Sequence, residues 1–211
     1  MHENISNSGG DAEGALSARL VVILGGARSG KSTFAERLAL QSGRRVAYIA
    51  TALASDDDMR DRIARHQAQR PTVWRTIEEP LQLATTVQEA ALHADVILLD
   101  CVTIWLSNWL FMQGDGAAIQ DDAVSAQHYD SALQEISRLL AVIASWDAQK
   151  TLLLVSNEVG LGIVPSYASG RIYRDILGLV NQRLAAAASQ VYLMVAGLGV
   201  DIKRLHNEAT I

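Results

Sequence analysis

Residues Leu20–Ser32 read LVVILGGARSGKS, and this stretch decides the fold. Its first half, Leu20–Leu24, is short, rich in β-branched residues and wholly apolar, which predicts a strand buried on both faces of a parallel sheet. Its second half, Gly25-Gly26-Ala27-Arg28-Ser29-Gly30-Lys31-Ser32, fits the pattern Gly-x4-Gly-Lys-Ser/Thr, the Walker A loop. Glycines at these positions let the backbone curl until its N–H groups face phosphate oxygens at a helix N-terminus. Lys31 then neutralises the β- and γ-phosphates of a nucleotide, and the Ser32 hydroxyl holds Mg²⁺. A helix over Lys31–Gln41, with apolar residues at Phe34, Leu38 and Leu40 and with Gly43 behind it, supplies the N-terminus that this mechanism requires. The alternative is a glycine-rich strand-to-helix turn that binds nothing.

Working outward, apolar runs alternate with helical periods. Further strands are expected at Val46–Ala50, Val73–Ile77, Asp95–Asp100, Thr151–Ser156 and Val191–Ala196, with an edge strand at Val200–Ile202. Helices are expected from Asp56 to Gln69, with Ser55 or Asp56 as the cap and Pro71 as the stop. Others are expected from Pro80, as first helical residue, to His93, and over Val102–Met112, Val124–Trp146 and Ser166–Ala188. Gln113–Asp122 reads as a Gly/Asp loop. The alternation predicts an α/β fold, a mostly parallel sheet with helices on both faces. With 211 residues, 49% apolar and 19% charged, one domain over residues 20–211 is expected. Met1–Arg19, rich in Gly, Ser, Asn and Ala, reads as a flexible extension.

Composition excludes several classes. The single cysteine, Cys101, rules out an intramolecular disulfide and fits a reducing compartment. A net charge of −5 argues against a general nucleic-acid binder. No apolar run reaches the ~18 residues of a membrane span; Val96–Leu110 is broken by Asp100, Ser107 and Asn108. The first residues lack a basic start and an apolar segment, so no secretory signal is read there. The expected location is the cytoplasm.

Three further features bear on chemistry. Asp100 ends the apolar run Val96–Leu99, so it belongs at the C-terminal edge of the sheet beside the phosphate loop. It reads as an acid acting on Mg²⁺, directly or through water, or as a strand-ending helix cap. Asn157 and Glu158 end the next strand in the same way, as site residues or as turn residues. Of the five histidines, His66 stands out. On a helix it shares a stripe with Met59 and Ile63, with Arg60, Arg62, Arg65 and Arg70 around it. Imidazole among guanidinium groups suits attack on phosphorus; on residue type alone, a hydrogen-bonded structural histidine is the commoner case. Asp56-Asp57-Asp58 reads as helix-start charge, and a zinc site has no second His or Cys nearby.

The ordered set of motifs resembles the bifunctional adenosylcobinamide kinase / adenosylcobinamide-phosphate guanylyltransferase family of cobalamin biosynthesis. The matching stretches are GGARSGKS at Gly25–Ser32, YIAT at Tyr48–Thr51, Asp57–Met59 with Arg62, Ile63 and His66, and Trp74–Thr76 with Glu78. They continue with ILLDC at Ile97–Cys101, NEVGLGIVP at Asn157–Pro165, Arg174-Asp175, VNQRLAAA at Val180–Ala187 and GLGVDIK at Gly197–Lys203. The resemblance implies a P-loop NTPase core. It implies phosphorylation of adenosylcobinamide by ATP or GTP, then transfer of GMP from GTP to adenosylcobinamide phosphate through a GMP–histidine intermediate, with Mg²⁺. The position matching that histidine is His66. Nucleotide contacts carry over to Gly25, Gly26, Ala27, Arg28, Ser29, Gly30, Lys31 and Ser32, to Thr51, Ala52 and Leu53, to Gln67, Ala68, Gln69 and Arg70, and to Glu78 and Asp100. Arg65 stands where some relatives carry a second histidine. A homotrimer is implied as well.

Overall fold

The computed structural model of the protein describes residues 19–53, 57–112 and 126–209. Seven strands form one sheet: β1 (Arg19–Gly25), β2 (Val46–Ala50), β3 (Arg75–Glu78), β4 (Val96–Asp100), β5 (Thr151–Val155), β6 (Gln190–Val195) and β7 (Leu198–Asp201), in the order β3-β2-β4-β5-β1-β6-β7. All neighbours run parallel except β6 and β7, which are antiparallel. The expected extension ahead of residue 19 and the Gln113–Asp122 loop lie outside the described residues.

The inner strands β1, β2, β4 and β5 are apolar runs because both faces of the sheet are covered there, whereas the edge strands β3 and β7 are largely exposed. One face carries Leu20, Val22, Leu24, Ile49, Ile97, Leu99, Leu152 and Leu154 into the larger core. That core is roofed by α3 (Leu83–Ala91), α4 (Val102–Met112), α5 (Ala126–Ala144) and α6 (Ala168–Ala187). The alternate residues Val21, Ile23, Tyr48, Leu98, Leu153 and Val155 turn to the other face, against Ala35 and Ala39 of α1 (Lys31–Gln41). Two further helices complete the fold: the polar α2 (Asp57–Gln69) and the C-terminal α7 (Ile202–Ala209), whose Ile202 packs against the larger core.

Register fixes what the sheet offers at its C-terminal edge. Ile23 is opposite Val155, Val155 opposite Asp100, Asp100 opposite Ala50 and Ala50 opposite Glu78. One row across five strands therefore carries two acids, and the chain leaving each strand beyond this row enters the same edge.

Several boundaries differ from the sequence reading. Arg19 is not tail but the first residue of β1: it is opposite Thr151, and its Nη2 donates to Gln190 Oε1 at 2.6 Å. Pro80 precedes α3 instead of opening it, because Glu79 Oε1 takes the Leu81 and Gln82 N–H groups at 2.7 and 2.8 Å. The next demand, Ala84 N–H, is met at 3.1 Å by the buried Glu135 of α5. The edge strand lies at Leu198–Asp201 and is followed by a helix that the sequence reading lacked. In α7, Lys203 Nζ donates to the carbonyls of Ala185, Ala186 and Ala188, closing the C-terminus of α6 with a positive charge. Trp105 and Trp109 of α4 are core: Trp105 is fully buried with Nε1 on Leu81 O at 2.9 Å, and Trp109 Nε1 donates to Ser131 Oγ at 3.2 Å.

The tightest backbone approach is at the end of β1. Gly25 has φ 149°, and a Cβ built there stands 2.5 Å from Met194 O of β6. Gly25→Ala is therefore expected to destabilise the fold by about 2 kcal/mol through forced separation of β1 and β6. Urea unfolding measures this as a lowered midpoint at unchanged m-value; a wild-type midpoint contradicts the close contact.

Candidate active site

Between β1 and α1 the backbone turns through Gly26–Gly30. Gly30 caps α1 in the left-handed region at φ 94°, and Arg28 sits there too, at φ 56°. The loop is braced from the β6–β7 turn, where Gly197 N–H donates to Ser29 O at 3.0 Å. A Cβ at Gly30 would stand 3.2 Å from Gly197 Cα, so a side chain there would be strained twice, by conformation and by space. Lys31 is buried at 8% exposure and donates from Nζ to Gly26 O at 2.6 Å. The buried Ser29 Oγ has no hydrogen-bond partner among the described residues, as fits a hydroxyl available to a ligand oxygen.

Above the loop lies a cavity of about 620 Å³, within the range of small-molecule sites. Residues 27–33 form its floor, and His66, Asp100, Cys101, Ile104, Val155 and Asn157 its walls. A smaller cavity of about 90 Å³ shares Ser32, His66, Asp100, Cys101 and Ile104, and reaches Tyr48, Ala50, Ala52, Ile63, Arg70 and Glu78. His66 and Asp100 stand where the two meet. The stripe that carries His66 inward is visible in Ile63, one turn earlier on α2.

The acid is held from its own sheet. Tyr48, one strand away, donates its phenol to Asp100 Oδ2 at 2.7 Å. Burial, reinforced by the charge of Asp100, drives the phenol pKa far upward, so the hydroxyl remains a donor. The Arg70 guanidinium lies over the ring of Tyr48, 3.5 Å from its centroid. Arg70 Nε and Nη1 are buried with no hydrogen-bond partner among the described residues. Burial and Asp100 also raise the pKa of Glu36, against a lowering by Arg70. Burial pushes the Cys101 thiol up to about 12, which leaves it protonated and poorly nucleophilic at neutral pH.

The structure sorts the expected site residues. Ala27 to Ser32, His66 and Asp100 meet at the main cavity; Ala52, Arg70 and Glu78 meet at the smaller one. Gly25 and Gly26 shape the loop and line neither. Thr51 lines neither of these two cavities. It is fully buried, its Oγ1 donating to Cys101 O at 2.8 Å and accepting from Cys101 N–H at 2.9 Å, while Asn108 Nδ2 holds its carbonyl at 2.8 Å. Leu53 and Ala68 are exposed. Gln67 donates to Glu78 Oε1 at 3.2 Å. The side chains of Met59, Arg62, Arg65 and Gln69 lie outside the description. The expected ring of arginines around His66 reduces, among the described side chains, to Arg70, because Arg60 is exposed and paired with Asp57.

Asn157 lines the main cavity, whereas Glu158 accepts from Gly160 N–H at 2.8 Å and stays with its own turn. Two contributors were missed. Tyr48 is an aromatic with a polar tip in a buried aliphatic strand, and such a tip needs a partner; that was the available signal. Asn181 is buried in α6. It accepts from Ser156 Oγ at 2.7 Å and donates to Asn157 O at 3.0 Å, fixing the chain where β5 enters the site.

Residues 21–202 match the family model of cobinamide kinase / cobinamide phosphate guanyltransferase. The bifunctional adenosylcobalamin biosynthesis protein CobP of Pseudomonas aeruginosa is 43% identical over 86% of this chain and 96% of its own length. The bifunctional adenosylcobalamin biosynthesis protein CobU of Escherichia coli is 43% identical over 87% of this chain and 99% of its own. Among solved structures, a prototypical ATPase from a bacterial type III secretion system shares the fold. It has a TM-score of 0.51 at 12% identity, covering 90% of this chain and 58% of that one.

The Thr51 clamp makes a stability prediction. Thr51→Val removes the hydroxyl at constant shape and strands the Cys101 N–H, while the Cys101 carbonyl keeps the Trp105 N–H at 3.1 Å, so it should cost about 2 kcal/mol, while Thr51→Ser should cost under about 1 kcal/mol. Urea unfolding of the two variants compares them directly, and equal losses contradict the clamp.

Proposed function

This chain belongs to the cobinamide kinase / cobinamide phosphate guanyltransferase family, and we propose that it carries out both reactions from the one cavity above its phosphate loop. The function is that of a bifunctional enzyme of adenosylcobalamin biosynthesis: a kinase step on the cobinamide, then guanylyl transfer to the cobinamide phosphate. The observation that carries the single-site reading is the position of His66. It lines the cavity floored by Gly30, Lys31 and Ser32 and also the cavity that contains Glu78.

For the kinase step, the loop N–H groups, Lys31 and the orphaned Ser29 hydroxyl hold the β- and γ-phosphates of ATP or GTP. The propanolamine hydroxyl of adenosylcobinamide attacks the γ-phosphorus in line as the bond to the β,γ-bridging oxygen breaks, giving adenosylcobinamide phosphate and ADP or GDP, with the hydroxyl proton passing to solvent. Ser32 and Asp100, hard oxygen donors that share the smaller cavity, fit Mg²⁺, and the ion supplies charge neutralisation on the phosphates when bound.

For guanylyl transfer, an imidazole nitrogen of His66 forms a bond to the α-phosphorus of GTP as the bond to the bridging oxygen breaks. Pyrophosphate departs from Lys31 and the loop. A phosphate oxygen of adenosylcobinamide phosphate then displaces the imidazole, giving adenosylcobinamide-GDP and returning free His66. Glu78, steadied by Gln67, is suited to accept the guanine N1–H and amino hydrogens, and Arg70 to contribute donors from Nε and Nη1. A carboxylate acceptor favours guanine over adenine in this step, while the kinase step, read only by the phosphate loop, admits either donor.

The same reading extends to assembly and place. Leu161, Ile163, Val164 and Tyr167, just beyond Asn157, are large apolar side chains left exposed, Ile163 at 96%. A covering second copy would bury them, as a homotrimer provides. No described helix is long and apolar enough to cross a membrane, in keeping with action on soluble nucleotides in the cytoplasm.

GTP labelled at the α-phosphate should leave an acid-labile, base-stable adduct on His66, and γ-labelled GTP should leave none. His66→Ala should lose the adduct and guanylyl transfer by at least about 10³-fold yet retain kinase turnover. Lys31→Ala should lose both activities. Label on another residue, or GMP transfer by the alanine variant, overturns the assignment of His66.

A further inference from the structure

Asp100 and His66 are carried by different elements, one by the rigid edge of β4 and the other by α2. One side chain is in contact both with Asp100 and with the residue that follows α2. Tyr48 of β2 donates its phenol to Asp100 Oδ2 at 2.7 Å and bears on its ring face the guanidinium of Arg70, the residue that directly follows α2. Its hydroxyl is committed to the acid by burial, since Tyr48 is 2% exposed and all three groups line the same 90 Å³ cavity with His66.

We propose that Tyr48 is a positioning residue. Its hydroxyl fixes the Asp100 carboxylate through Oδ2, so that Oδ1 is turned to the cation at Ser32, while its ring independently seats Arg70. The proposal rests on the reading of Asp100 as the acid that acts on Mg²⁺. The physical reason is that a carboxylate has two equivalent oxygens and a free torsion. A single charge-assisted hydrogen bond selects one oxygen and one angle, so metal binding is not charged with the entropy of doing so. The ring contact is separable, because a guanidinium over an aromatic face needs the π-system and not the hydroxyl.

The two functions can be removed one at a time. Tyr48→Phe keeps the ring and loses the hydroxyl; Tyr48→Leu loses both. The probe is the α,β-methylene analogue of GTP, which cannot transfer GMP. Its binding to the full chain is measured by calorimetry with and without Mg²⁺.

In Tyr48→Phe the factor by which Mg²⁺ tightens binding should fall roughly tenfold, the effect of one hydrogen bond to a charged group, with Mg²⁺-free binding within about twofold of wild type. Half-saturating Mg²⁺ should rise by the same factor in both reactions while kcat at saturating Mg²⁺ holds. Tyr48→Leu should weaken Mg²⁺-free binding too, through Arg70. 4-Aminophenylalanine at position 48, which retains a donor on the ring, should restore the Mg²⁺ factor; 4-methylphenylalanine, of similar volume without the donor, should not. This pair serves equally if Tyr48→Phe fails to fold.

Asp100→Asn separates the two ideas. If it loses the Mg²⁺ factor while Tyr48→Phe and the 4-methyl variant keep it, the role of Tyr48 is overturned and that of Asp100 stands. If Asp100→Asn keeps the factor, the reading of Asp100 fails and the proposal with it. Equal weakening of Tyr48→Phe with and without Mg²⁺ makes the hydroxyl merely structural and also overturns the proposal.

Discussion

The rest of the structure depends on where β1 ends. This strand lies between β5 and β6, so the phosphate loop leaves from inside the sheet, and Gly25 is pressed against the backbone of Met194 with no room for a side chain. The loop is thereby held on a rigid base and braced a second time by Gly197. Parallel pairing does the remainder. Glu78, Ala50, Asp100, Val155 and Ile23 fall on one row across five strands, so two carboxylates arrive at the same edge as the loop. Active-site groups from four separate sequence segments need no long-range coding beyond that register.

Transfer of a phosphoryl and of a nucleotidyl group makes similar demands on a protein: positioned phosphates, neutralised charge and an in-line nucleophile. The two reactions differ in the nucleophile and in which phosphorus it meets. In the proposed reading the shared demands fall on the sheet edge and on α1, and the nucleophile is His66 of α2, a polar helix tied to the edge through the contacts of Gln67 with Glu78 and Arg70 with Tyr48. A fixed phosphate grip with a histidine on a separate element allows one cavity to serve both chemistries.

Much of this was legible in the sequence, for definite reasons. Strands buried on both faces appear as unbroken apolar runs, so β1, β2, β4 and β5 could be read directly, and the loop between β1 and α1 follows from spacing. Ile63 and His66 share a stripe because helical period alone places them together. What was not legible depends on partners distant in sequence. Arg19 belongs to β1 because Thr151 and Gln190 receive it. α3 starts late because Glu79 takes the first amide groups. Thr51 matched a nucleotide-contact motif, yet its hydroxyl is spent on the backbone of Cys101. The missed α7 did carry a local signal, since Asp201 Oδ1 accepts the Arg204 N–H at 3.1 Å, the geometry of a helix cap.

A single cavity for two reactions has a direct kinetic signature. Guanosine 5′-(α,β-methylene)diphosphate occupies the loop and the base site but can donate neither a γ-phosphate nor GMP. With GTP as the donor in both assays, it should inhibit the kinase step and His66 guanylylation competitively with one inhibition constant, within about twofold of each other on the tenfold-per-1.4 kcal/mol scale. Inhibition of one reaction with the other untouched would mean two nucleotide sites, and would contradict the shared use of Gly25–Ser32.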